Sequence, residues 1–248
     1  MFSNTIQVPR DISKWKNEQK LFVVLDQACL ELFEKKNKSL ELLSGIDHQR
    51  NRIEEYYSSC KQNIFSKEEL LLNIRPDIVH QCLLALLDSP LNKSGKLLVY
   101  IRTTGNILIE INPQITIPRS FKEFSILMVN LLVKRKVIAT EENIVLMQII
   151  KNDLEKILPA GSKRFGLSIN GKLNNLRTKI TGTYDYSNNC KTFKSTAITF
   201  FIGAVAYGDP IKNCKYVEEL ISISSYPLSA ALCCLKLCNE FEYLWGIC

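Results

Sequence analysis

Two stretches of the chain are apolar without alternation: KLFVVLD, Lys20 to Asp26, and the run that opens FFIGAVAYGDP, Phe200 to Pro210. A strand with one face in water alternates apolar and polar residues, so unbroken runs of this kind need cover on both faces. Helical periodicity elsewhere in the chain supplies that cover. RPDIVHQCLLALLDSP has Pro76 at a first helical position, Asp77 in the first turn, and Ile78, Val79, Cys82, Leu83, Leu86 and Leu87 on one face, which predicts a helix ending near Asp88 to Pro90. SFKEFSILMVNLLVKRK predicts a second helix with Phe121, Phe124, Leu127, Met128, Leu131 and Leu132 on its apolar face. Leu228, Ala231, Leu232, Leu235, Cys238, Phe241 and Trp245 recur at helical spacing and predict a long amphipathic helix to the C-terminus. KLLVYIRTTGNILIEIN reads as an antiparallel hairpin turning at Thr104-Gly105-Asn106, and NIVLMQIIK and KRFGLSIN read as further strands. The predicted fold is α/β, with a mostly parallel sheet and an antiparallel hairpin added to it.

A chain of 248 residues with 46% hydrophobic content is enough for one large domain with a continuous core. We expect residues 1–20, which are polar and unpatterned, to be a flexible tail, and 21–248 to form a single domain. Phe33 to Asn73 is charge-rich and reads as helical in patches. Asn170 to Ser195, rich in Asn, Lys, Thr and Tyr, reads as an exposed insertion. No apolar run reaches the roughly 18 residues of a membrane helix, and no signal segment opens the chain, so the expected compartment is intracellular and reducing. The 9 cysteines include no C-x-x-C pair, and His48 and His80 are the only histidines, too few partners for a zinc site. Buried thiols, Cys233, Cys234 and Cys238 among them, are the expectation. A net charge of +7, from 32 Lys and Arg against 25 Asp and Glu, favours a polyanionic partner.

Gly203 and Gly208 enclose four residues, a spacing that matches neither the dinucleotide G-x-G-x-x-G pattern nor a phosphate loop. Read alone, the loop is equally a turn after a core strand.

Three segments together carry more: RPDIVHQCLLALLDSPLNKSGKL, VYIRTTGNILIEINPQITIPRSFKEFSILMVNLL, and FIGAVAYG with ISISSYPLSAAL. In register from about Leu21 to the C-terminus, the chain resembles the eukaryotic and archaeal pseudouridine N1-methyltransferases of ribosomal RNA, nucleolar proteins essential for mitotic growth. The resemblance implies a SPOUT-type fold whose C-terminal chain forms a trefoil knot, with S-adenosylmethionine bound in the knot. It implies a homodimer in the nucleolus, acting on small-subunit ribosomal RNA within the pre-ribosomal particle, with no metal and no membrane. Cofactor contacts would fall on Ile169, Gly203, Gly208, Ile223, Ser224, Ser225, Tyr226, Pro227 and Leu228.

On the RNA side, the resemblance makes Arg75 the group facing the substrate, held by Asp77, and gives both a catalytic role. Without it, Asp77 would only favour a helix dipole, worth about 0.3–1 kcal/mol. Arg119 matches the family's I-P-R segment, while Thr116 and Glu123 stand where relatives commonly carry two more arginines. Compensation would come from Lys122, from Lys134, Arg135 and Lys136, or from Lys172, Arg177, Lys179, Lys191 and Lys194 in the insertion. The competing reading is a non-catalytic assembly factor with the same fold that binds pre-ribosomal RNA.

Overall fold

The fold grows outward from β1 (Leu21–Ala28), whose side chains divide between two cores. Leu21, Val23 and Leu25 enter one hydrophobic cluster, Phe22 and Val24 enter the other, and all five are fully buried. Such a strand must be flanked on both edges, and β1 pairs in parallel with β9 (Ile198–Gly203) on one side and β4 (Leu97–Thr103) on the other. Beyond β9 come β8 (Lys163–Leu173) and then β10 (Glu219–Ser222), both parallel. Beyond β4 the pairing turns antiparallel, through β5 (Leu108–Ile111), β7 (Val145–Ile150) and β6 (Lys136–Ile138). The eight-stranded order is therefore β10-β8-β9-β1-β4-β5-β7-β6, five parallel strands with an antiparallel flank. This computed structural model describes residues 20–35, 38–45, 73–139, 144–151, 153–159, 161–183 and 197–247.

One face of the sheet is covered by α1 (Pro76–Leu87), α3 (Phe121–Lys134) and α6 (Ala230–Trp245). Cys82 of α1 and Cys234 and Cys238 of α6 lie in their shared apolar seam. Burial pushes the Cys233 thiol up to about 11 and the Cys238 thiol up to about 12, so both stay protonated at neutral pH. The other face is covered by the short α4 (Leu154–Ile157) and the loop around Tyr216. Local chemistry sets the helix ends. The Ser120 and Ser229 hydroxyls accept the amides of Glu123 and Leu232, both at 3.3 Å, and left-handed Arg135 and Gly246 end α3 and α6. The short α2 (Pro90–Lys93) follows α1 directly, through Ser89 as its cap.

Two expectations need correction. Within Phe33 to Asn73, the described start of the segment is a two-stranded antiparallel ribbon of β2 (Leu32–Glu34) and β3 (Leu40–Leu42) and not helix, while 46–72, the larger part of the expectation, lies outside the described residues. The presumed insertion is part of the fold as far as residue 183. Its first residues finish β8, and α5 (Leu176–Thr183) buries Leu176 and Ile180 in the main core. Those two apolar residues, one helical turn apart, were hidden by polar neighbours. Residues 184–196 of that stretch, and the expected tail except Lys20, lie outside the described residues.

Candidate functional site

The parallel strands end on one side of the sheet, where open α/β folds bind ligands. There, the segments that follow β9 and β10 and the middle of β8 enclose a cavity of about 480 Å³. Ser168 and Ile169 line it from β8, Gly203 and Val205 to Ile211 from the loop after β9, and Ile221 to Ser224 and Tyr226 to Ala231 from the chain entering α6. Arg75, the residue capping α1, completes the rim together with Ile78 and Gln81.

The loop after β9 is fixed by steric fit and by hydrogen bonds. A side chain at Gly203 would put its Cβ 2.9 Å from Cγ of Pro210, and Gly208 has a φ of +83° that side-chain-bearing residues rarely adopt. The Ala204 amide donates to the Asp26 carbonyl at 2.8 Å. Asp209 accepts from the Ser168 hydroxyl and, at 2.9 Å, from the Asn170 side-chain amide, which ties the loop to β8. The β10 side is tied within itself. The Ser222 hydroxyl donates to the Ser224 carbonyl at 2.8 Å, and the Tyr226 amide donates to the Ser224 hydroxyl at 3.0 Å.

Beneath the loop lies an ion pair that the sequence reading missed. The Asp26 carboxylate is fully buried at the end of β1 and accepts Nε and Nη2 of Arg102, from the end of β4, at 2.6 and 2.7 Å. The guanidinium lies 5.2 Å from the Tyr216 ring centre, and the Tyr216 hydroxyl donates to Asp153 at 2.8 Å. Burial works against the charge on Arg102, but the hydrogen bonds and charge of Asp26 outweigh it, so its pKa rises above the usual arginine range. A charge closing each of two apolar strands, KLFVVLD and LLVYIR, was the available signal. The pairing of residues 76 positions apart was not.

Arg75 and Asp77 meet as the resemblance implies. Nε and Nη2 of Arg75 donate to the two carboxylate oxygens of Asp77, each at 2.8 Å, a fork that fixes the guanidinium plane. The hydrogen bond to Asp77 is the main cause of a raised Arg75 pKa. Arg75 reaches the cavity, whereas Asp77 stands behind it, off the lining.

The remaining expected site residues separate into three groups. Ile169, Gly203, Gly208, Ile223, Ser224, Tyr226, Pro227 and Leu228 all line the cavity, while Ser225 does not. The sequence reading missed Ser168, Tyr207 and Asp209, which line it too. Arg119 and Lys122 lie elsewhere. Arg119 is exposed and pairs with Asp88 at 2.6 Å, just past the end of α1 opposite Arg75. Lys122, Glu123 and Thr116 are exposed, as are Lys134, Arg135, Lys136 and Lys172. Two of the proposed compensating cations already have partners. Arg177 pairs with Glu240 at 2.9 Å and stacks on Tyr243, and Lys179 pairs with Glu219 at 2.6 Å. Lys191 and Lys194 lie outside the described residues.

Among the described residues no group of His, Cys, Asp and Glu could hold a metal ion, and no helix is long and apolar enough to cross a membrane.

The chain also has relatives among known proteins. The chain is similar to the ribosomal RNA small subunit methyltransferase NEP1 of Drosophila melanogaster, 41% identical over 235 residues covering 93% of this chain and 84% of that one. It is 40% identical to the human protein of the same name over 230 residues, 92% and 83% of the two chains. Its fold matches the crystal structure of Archaeoglobus fulgidus Nep1 bound to S-adenosylhomocysteine, with a TM-score of 0.64 at 20% identity, over 92% of this chain and all of that one. Residues 23–242 match the family model described as EMG1/NEP1 methyltransferase, and the chain belongs to that family.

Proposed function

We propose that the chain moves the methyl group of S-adenosylmethionine to N1 of a pseudouridine in small-subunit ribosomal RNA, and so takes part in building the small ribosomal subunit. The observation that carries this reading is a cavity at the strand ends with Arg75 on its rim, its guanidinium held flat by Asp77.

The residues present fit such a cofactor. A volume of about 480 Å³ lies inside the range of roughly 300–1,000 Å³ usual for ligand sites. The lining offers backbone amides and carbonyls of irregular loops, with Ser168, Ser224 and Asp209 among the polar side chains. That donor set suits an adenine edge and an amino-acid group, and the Gly203 to Gly208 spacing cradles no phosphate. Ile169, Gly203, Gly208, Ile223, Ser224, Tyr226, Pro227 and Leu228 would hold the cofactor. Ser225 lies between them but off the lining. When bound, S-adenosylmethionine supplies a methyl group on a sulfonium centre.

The base nitrogen must lose its proton before it attacks, and the ring then carries negative charge. Arg75 is the catalytic residue that faces this charge, and a charge fixed in place before reaction is where an enzyme gains most. Asp77 is a positioning residue. Its carboxylate is committed to two hydrogen bonds from a cation, which makes it a weak base. Bringing ring nitrogen and methyl carbon into line supplies much of the rest of the rate.

Arg119 and Lys122, away from the cavity, would contact the RNA backbone. We also read the path through β8, β9 and β10 as the trefoil knot of the SPOUT fold, the protein as a homodimer on the pre-ribosomal particle, and the nucleolus as its place of work. The fold shared with the archaeal Nep1 supports the first of these, and the exposed Leu232 and Leu235 on α6 support the second.

The test is methyl transfer to small-subunit RNA fragments that carry either uridine or pseudouridine at the target position. Transfer to the pseudouridine fragment alone is expected. Tight binding of both fragments with no transfer would establish the assembly-factor reading instead.

A further inference from the structure

Tyr207 occupies an unusual position on the cavity rim. It is 62% exposed, although the loop that bears it is tied down on both sides of it. Ala204, three residues before it, is buried, and its amide is bonded to Asp26. Gly208, directly after it, adopts a left-handed turn, and Asp209 is bonded to Ser168 and Asn170. The ring is therefore held out toward solvent by a fixed backbone. Among the described residues it makes no stacking or cation–π contact and its hydroxyl makes no hydrogen bond. Exposed aromatic residues are common on protein surfaces, but this one lines the same cavity as Arg75. A fixed cation and a free aromatic face at one opening are two groups that can meet an unpaired RNA base, one at its edge and one on its face.

We infer that Tyr207 is the stacking platform for the unpaired target base, holding its ring beside Arg75 at the mouth of the cavity. This rests on the RNA-methyltransferase reading above and adds the residue that takes the face of the base. A tyrosine suits the task because its ring offers a large stacking area with only two side-chain torsions to fix, and the anchored loop has already fixed the backbone. Arg75 then acts on the charge at the edge of the base while Tyr207 takes its face, so neither residue substitutes for the other. Any base has a face, so Tyr207 adds affinity without choosing uridine or pseudouridine. Discrimination stays with the groups that meet the edge.

The experiment uses the full chain and an RNA hairpin with the target nucleotide in its loop, either intact or with that one base removed. Affinity is read by fluorescence anisotropy for the wild type, Tyr207→Phe and Tyr207→Ala, and S-adenosylhomocysteine affinity is read by calorimetry on the same proteins. Base stacking typically contributes about five- to a hundredfold in affinity. Tyr207→Ala should lose that factor on intact RNA, and Tyr207→Phe should keep it. Removing the base should weaken the wild type by a similar factor and change Tyr207→Ala little, a coupling that a purely structural role would not produce. S-adenosylhomocysteine affinity should fall by less than RNA affinity in Tyr207→Ala. An equal penalty for base removal in wild type and Tyr207→Ala, or a loss confined to S-adenosylhomocysteine, overturns the platform while leaving the methyltransferase reading intact. A wild-type protein that binds no S-adenosylhomocysteine overturns both.

Discussion

The parallel half of the sheet and the surface of α1 and α3 that we propose faces RNA are built by different means. Around β8, β9 and β10 the wall of the cavity is backbone, set by close packing: a Cβ on Gly171 would meet the backbone of Ile221 at 2.6 Å, and one on Gly203 would meet Pro210. Along α1 and α3 the candidate contacts are charged side chains near water, such as Arg119 and Asp88, whose side chains are 77% and 43% exposed. Arg75 stands between the two regimes, 35% exposed and braced by a nearly buried carboxylate. A site made of packed backbone is already in its binding shape and responds to volume. A site made of exposed ion pairs is worth little to stability and responds to salt.

The contrast fails or sharpens with four substitutions. The largest effect belongs to the ion pair under the cavity loop. Asp26→Ala leaves the guanidinium of Arg102 without its counter-charge in a buried site, which costs about 3–5 kcal/mol. Against a total of roughly 5–15 kcal/mol for a typical domain, the urea midpoint should fall steeply at unchanged slope. A midpoint close to that of the wild type would mean that the loop does not depend on this pair. Next comes Arg75→Ala, for which turnover at saturating RNA should drop about 10²- to 10³-fold with little change in unfolding midpoint. Full turnover would remove Arg75 from the chemistry.

Gly203→Ala should cost about 1–3 kcal/mol, because the ring of Pro210 cannot swing aside as a flexible side chain would. Thermal unfolding checks this, and an unshifted transition would show the loop to be softer than its contacts suggest. The smallest effect is expected from Arg119→Ala. Its stability should match the wild type, and the slope of log affinity for RNA against log salt should fall by about one. An unaltered slope would take Arg119 off the RNA surface.

How much of this was legible in the sequence follows the same division. Unbroken apolar runs and helical periodicity foretold β1, β9, α1, α3 and α6, because burial on both faces leaves a direct mark in the residues. The glycine loop was visible but undecided, since Gly203 and Gly208 acquire meaning only once Ile169 and Tyr226 are brought to the same cavity. Arg75 and Asp77 lie two residues apart, yet only the family resemblance made them a pair; from the residues alone Asp77 would merely favour the helix dipole. Asp26 and Arg102 could not be paired at all, because their contact depends on β1 and β4 being neighbours. Leu176 and Ile180 were lost in polar surroundings, since two apolar residues one turn apart are too few to stand out as a periodic pattern. Tyr207 looked like any loop tyrosine until the rim of the cavity placed it near Arg75.

The central claim is that the packed half holds the cofactor on its own, independent of the charged surface. Calorimetric titration of S-adenosylhomocysteine into the wild type, Gly203→Ala and Arg119→Ala tests it most directly. The account predicts saturable binding by the wild type, a loss of about five- to a hundredfold in Gly203→Ala, and no change in Arg119→Ala. Equal affinity in the wild type and Gly203→Ala, or weakened binding in Arg119→Ala, would contradict it.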